Sequence, residues 1–137
     1  MQVVIQEEET GCGLASVANI LGCSYAQVRQ LAAKKGIFAA DTRLWSETGY
    51  VRDLLEDQGV RLGADQQPFV SWEALPDTAL LAIKHHREGD RDFWHWVVFK
   101  RRQGEARVLD SAAYLESNLR QDWEGMQPRW FIEVYDN

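Results

Sequence analysis

Four residues of this chain have the types and spacing to carry out acyl chemistry: Cys12, His95, Asp110 and Gln6. Cys12 lies between two glycines in "EEETGCGLASVANILGC", just where apolar periodicity begins. A helix start there would place unpaired N–H groups and a partial positive charge beside the sulfur, which stabilises a thiolate. Gly11 and Gly13 would let a substrate backbone approach it. The carboxylates of Glu7, Glu8 and Glu9 act the other way, since nearby negative charge raises a thiol's pKa. A buried cysteine behaving as a small hydrophobe is the alternative for Cys12, and it is the description that fits Cys23.

A nucleophilic thiol needs a base, and the base needs an orienting group. Of the three histidines, His95 opens the apolar run "HWVVFKR", which is followed by "QGEARVLDS". With Gln103 and Gly104 as the central residues of a hairpin turn, Arg102 pairs with Glu105 and Val97 faces Asp110. His95 and Val97 share a face because side chains alternate along a strand. Asp110 is then a diagonal neighbour of His95, about 7–8 Å away and within reach of two polar side chains. A one-residue slip would separate them. Gln6 supplies a side-chain amide that can donate to a developing oxyanion, beside the cysteine's own N–H.

The elements that must hold these residues are legible in outline. Leu14, Val17, Ala18 and Leu21 have helical spacing, and Gly22 is a stop. Ser24 and Gln27 are spaced as a capping box for a second helix through Val28, Leu31 and Ala32, ending near Gly36. Val51, Leu54 and Leu55 mark a third helix before Gly59. The second half reads as strands: "ALLAIKH", "HWVVFKR", "ARVLDS" and "RWFIEVY". A short helix is expected in "SAAYLESNLRQDW". Helices preceding an antiparallel sheet predict an α+β fold.

The bulk numbers fit that outline. A chain of 137 residues is expected to form one domain over 1–137, large enough to bury a core without staples. A net charge of -6 with no basic stripe argues against a nucleic-acid partner. No apolar run approaches the ~20 residues of a membrane span, and "MQVVIQEEE" lacks a signal peptide's features. A cytoplasmic, non-membrane protein with reduced thiols is expected. If Cys12 and Cys23 share a helix they lie about 16 Å apart, beyond the ~7 Å a disulfide allows. His85, His86, Asp90 and Asp92 in "KHHREGDRD" invite a metal reading, but adjacent histidines on a strand point to opposite faces. A solvated loop overhanging the cleft is expected there instead. Trp94 and Trp96 are expected to pack into the core, facing away from His95.

Taken together, the chain resembles the C39 family of papain-fold cysteine peptidases, the bacteriocin-processing type. That family's pattern is a Gln, an Asp-Cys-Gly six positions on to the Cys, a later His before apolar residues, and an Asp-Pro-Ala ending the next strand. Here the elements are Gln6, "GCGLASVANILG", "HWVVF" and "VLDSA", with "DWEGMQPRWFIEV" resembling the family's closing segment. Gly11 stands where the family has Asp, and Ser111 where it has Pro. No transporter region follows, so a stand-alone member is expected.

The resemblance implies a papain-like fold with Cys12 as nucleophile, His95 as base and acid, Asp110 as orienter and Gln6 as oxyanion donor. It implies cleavage of a peptide bond after a small residue such as Gly in a leader-type peptide, with a separate peptide-export transporter as a candidate partner. This chemistry calls for no cofactor and no metal. The same residues would serve a glutamine deamidase or acyl transferase, and a non-catalytic peptide-binding module is the alternative outside enzymes.

Overall fold

The computed structural model describes residues 3–7, 11–41, 47–113, 115 and 117–135. Its first half is helical: α1 (Cys12–Leu21), α2 (Tyr25–Lys34) and α3 (Gly49–Asp57). α1 ends because Gly22 adopts φ 74, the left-handed conformation in which its N–H reaches back to Ala18 O. Ser24 and Gln27 form the expected capping box, with Ser24 Oγ accepting from Gln27 N at 3.1 Å and Gln27 Oε1 accepting from Ser24 N at 2.9 Å. A cap of this kind stabilises its helix by about 1 kcal/mol.

The second half is a sheet of antiparallel pairings: β1 (Arg61–Leu62), β2 (Gln67–Pro68), β3 (Thr78–Glu88), β4 (Arg91–Arg102), β5 (Glu105–Leu109), β6 (Leu119–Arg120) and β7 (Pro128–Tyr135). The strand order is β1-β7-β3-β4-β5-β6, with β2 also on β7. The architecture is α+β.

The β4–β5 hairpin has the register read from the sequence. Arg102 pairs with Glu105 and Val98 with Leu109. Gln103 and Gly104 both have positive φ, 53° and 81°, as a two-residue turn matched to strand twist requires. β5 stops at Leu109, so Asp110 and Ser111 lie just past its end.

Two expectations need correction. "KHHREGDRD" is not a loop: β3 runs to Glu88 and β4 starts at Arg91, leaving only Gly89 and Asp90 as the turn. The stretch is polar because the hairpin tip extends past the core into solvent. A bulge between Ile83 and His86, with Lys84 at φ 54, shifts its register. The helix expected in "SAAYLESNLRQDW" is absent among the described residues, which exclude Tyr114 and Glu116. They place strand β6 there, paired with β5, and a 3-10 turn at Trp123–Gly125. Backbone pairing to the exposed edge of β5 overrides the local helical pattern.

The core has two parts, one on each face of the sheet. Under the helices, Val17, Ala18, Val28, Leu55, Leu80 and Val98 are fully buried, each contributing about 1.5–3 kcal/mol for the larger side chains. α1 packs across β4 and against α2 and α3, so it is buried on more than the expected stripe: Ala15, Ser16 and Asn19 are inside as well. The opposite face is covered by Leu75, Trp72, Trp123 and Met126. No described helix is long and apolar enough to cross a membrane.

Candidate active site

Cys12 is the first residue of α1, half-buried, with Gly11 at the cap position and no side chain capping the helix. The first-turn N–H groups, including that of Cys12, have no partner within the helix. His95 lies in β4, with its neighbour Val97 already in the core. Asp110 follows β5 and is fully buried. The structure joins the three side chains. His95 Nε2 donates to Asp110 Oδ1 at 2.6 Å, and Cys12 is near enough to the imidazole to raise its pKa. Since Nε2 is engaged by the carboxylate, Nδ1 is the nitrogen left for sulfur.

Gln6 reaches the same corner along a separate route. Asn19 of α1 holds the N-terminal segment through both Val4 backbone groups, at 2.7 and 3.3 Å. Gln6 N then donates to Ser111 O at 3.0 Å, and Ser111 Oγ donates to Gln6 Oε1 at 2.9 Å. The amide oxygen is thereby committed, which turns Nε2 into the donor end. Ser111, where the C39 pattern has proline, thus ties Gln6 to the segment that carries Asp110.

Asp110 is the most heavily built group. Oδ1 also accepts from Ala112 N at 3.1 Å, and Oδ2 accepts from Arg120 Nη1 at 2.8 Å. Its backbone is latched by Asn118, whose O accepts from Asp110 N at 2.9 Å and whose Nδ2 donates to Asp110 O at 2.7 Å. Burial by itself would raise this carboxyl's pKa; His95, Arg120 and the Ala112 N–H outweigh it and hold it at about 2. For His95, burial would lower the pKa, but the hydrogen bonds and charges of Asp110 and Cys12 bring it up to about 10.

These shifts carry a pH signature. His95 rises from 6.5 to about 10 on folding, so its contribution to stability is complete below pH 6.5 and lost as the pH rises through about 10. Asp110 falls from 3.8 to about 2, so its contribution is present above pH 3.8 and lost as the pH falls through about 2. Urea denaturation should therefore show the stability lead of wild type over His95→Ala widest between pH 4 and 6.5, and shrinking toward pH 10.

Tyr50, in the first turn of α3, is a neighbour that spacing did not reveal. Its ring rests on the first turn of α1: a Cβ on Gly13 would lie 2.1 Å from the Tyr50 hydroxyl. Gly13 is therefore clearance for Tyr50, not the open approach for substrate expected from the sequence. Burial first, and Cys12 second, push the phenol's pKa up, so it stays a neutral hydroxyl beside the thiol.

A groove of about 730 Å³ is lined by Glu47 and Gly49, just before Tyr50 in sequence, by Trp94, the neighbour of His95 along β4, and by Trp130, His85 and Asp92. The β3–β4 tip overhangs it. His85 bonds Asp92 at 3.1 Å while His86 turns to Lys84 O at 3.2 Å, so the two imidazoles share no partner. Trp96 is buried in the core, whereas Trp94 both packs on Trp96 and Trp130 and walls the groove. Cys23 is half-buried against the core, and burial raises its thiol's pKa; it and Cys12 are both free. Glu7 is exposed, and Glu8, Glu9 and Trp45 lie outside the described residues. Arg120, Asn118 and Tyr50 were missed because each acts through a tertiary contact that no motif encodes.

No protein-family model matches the sequence, and no curated protein matches it. Among solved structures, the chain is similar to a double glycine motif protease from an AMS/PCAT transporter, determined in complex with the leader peptide. The TM-score is 0.62 at 19% identity, over 97% of this chain and 89% of that one. The likeness is one of fold.

Proposed function

We propose that the protein is a cysteine peptidase of the papain-like, C39-type fold, acting on a peptide that presents a small residue such as Gly at the scissile bond. The observation that carries this reading is a His95 imidazole bonded to a fully buried Asp110, with the Cys12 thiol at a helix start among the groups that raise the imidazole's pKa. A surface histidine or a structural cysteine would not need that arrangement. The fold shared with a double glycine motif protease supports it independently.

In this mechanism the Cys12 thiolate adds to the carbonyl carbon, and the carbonyl electrons move onto oxygen. The oxyanion is held by the Cys12 N–H and by Gln6 Nε2. His95 gives its Nδ1 proton to the leaving nitrogen as the C–N bond breaks, leaving a thioester. Water, deprotonated by His95, adds to the thioester; collapse releases the acid and returns the thiol. The groove lined by Gly49, Trp94 and Trp130 is the proposed path for the peptide.

Ser111→Ala should test the placement of Gln6. It frees the amide to turn while leaving Cys12, His95 and Asp110 in place. A loosened oxyanion donor should lower kcat by about tenfold, less than outright loss of a donor, with KM little changed.

The reading itself is tested by incubating the protein with a synthetic peptide containing a Gly-Gly pair and weighing the products. Two fragments, formed only when Cys12 is present, are expected. A single product with an amide converted to an acid would redirect the function to deamidation on the same residues. No product and no acylated Cys12 across a panel of such peptides would contradict hydrolysis and favour a peptide-binding module.

A further inference from the structure

The carboxylate of Asp110 faces two cations, not one. His95 Nε2 is on Oδ1 at 2.6 Å, and Arg120 Nη1 is on Oδ2 at 2.8 Å. The Arg120 side chain is itself only 10% exposed. Asp122 braces it from the far side, taking Nε on Oδ1 at 2.9 Å and Nη2 on Oδ2. Arg120 arrives on the two-residue strand β6, opposite Val108 of β5, and Asn118 just before it latches the Asp110 backbone. This short strand thus delivers both backbone support and a charge to the residue that orients His95.

A carboxylate that only oriented an imidazole would need no second cation, because His95 and the Ala112 N–H already supply two donors. A buried Asp–His pair by itself has a cost: the more tightly the carboxylate holds the imidazolium, the less readily the ring gives its other proton to a leaving group. A guanidinium on the opposite oxygen draws part of that charge away and fixes the plane of the carboxylate. It stays charged at every working pH.

We propose that Arg120 is a positioning residue for the Cys12–His95 pair: by sharing the Asp110 carboxylate with the imidazole, it keeps His95 acidic enough to protonate the departing amine. This rests on the reading of Cys12, His95 and Asp110 as the reacting set. Among the described residues, the charged and titratable groups acting on His95 are Cys12 from α1, with Tyr50 of α3 behind it, and Asp110 after β5, with Arg120 and Asp122 beyond that. Its cross-strand partner on β3 is Ile83, which carries no charge.

The test uses the full chain with Arg120→Gln, Arg120→Lys and Asp122→Asn. The His95 imidazole is titrated by NMR, and Cys12 alkylation by iodoacetamide is followed against pH. Gln keeps a donor for Oδ2 but removes the charge, so the His95 pKa should rise by about one unit. Arg120→Lys should bring it back toward wild type. Asp122→Asn, at an exposed position that leaves the fold intact, should move it the other way, because an unbraced guanidinium gives more of its charge to Asp110. An unmoved His95 in both Arg120→Gln and Asp122→Asn, with Cys12 activated in wild type, overturns this proposal alone. A Cys12 that alkylates as an ordinary thiol in wild type overturns the triad reading and the proposal with it. Loss of melting temperature without a titration shift would make Arg120 purely structural.

Discussion

Cys12→Ala should reduce peptide hydrolysis to the uncatalysed rate while leaving the protein folded. In the proposed mechanism the acyl group bonds to this sulfur, and among the described residues no other nucleophilic side chain acts on His95. The structural cost is small because Cys12 is half-buried at a helix start, where alanine is well tolerated. Stability should change by no more than about 1 kcal/mol. A second readout is specific to the pair. Cys12 is one of the groups that raise the His95 pKa, so its removal should lower that pKa from about 10. Urea denaturation and an NMR titration of His95 check both halves, and residual turnover would remove Cys12 from the chemistry.

Asp110→Asn should be the most damaging single change to stability, and it should cut activity as well. The side chain is fully buried and accepts from His95, Ala112 N and Arg120. An amide can accept at one end only, so its NH₂ must confront either His95 Nε2–H or the guanidinium. If it turns toward His95, the imidazole is driven into the wrong tautomer, and the rate should fall by about 10³- to 10⁴-fold. If it turns toward Arg120, a buried guanidinium loses one of its two carboxylates. Breaking a buried pair on one side costs about 3–5 kcal/mol, and Asp122 should keep this case near the lower end. Steady-state kinetics and urea midpoints measured on the same preparation distinguish the two orientations. In either one the His95 pKa should fall, and the alkaline loss of stability seen in wild type should flatten.

The parts of this site that were legible in the sequence are those carried by local rules. The β4–β5 register follows from a two-residue turn whose residues both accept positive φ, and that register puts Asp110 beside His95. The start of α1 at Cys12 follows from glycine next to a helical stripe, and the capping box at Ser24 from spacing alone. What was not legible depends on long-range packing. β1, β2 and β6 have two residues each, too few to show a period of two. The β3–β4 tip is polar on both faces, so nothing in its composition separates it from a loop. Gly13 looked like space for a substrate until Tyr50, from a different helix, filled it. Ser111 stands where the family pattern has Pro, and nothing in the pattern signals that its hydroxyl holds the Gln6 amide oxygen. Arg120 had no signal at all, since only the pairing of β6 with β5 brings it to Asp110.

The central claim is that Cys12 and His95 form a working thiolate–imidazolium pair. The pH dependence of iodoacetamide labelling, resolved for Cys12 and Cys23 by mass spectrometry in wild type and His95→Ala, tests it most directly. Cys12 should label well below the ~8.5 pKa of a free thiol, Cys23 should not, and His95→Ala should abolish the difference. Labelling of Cys12 as an ordinary thiol in both proteins would contradict the claim.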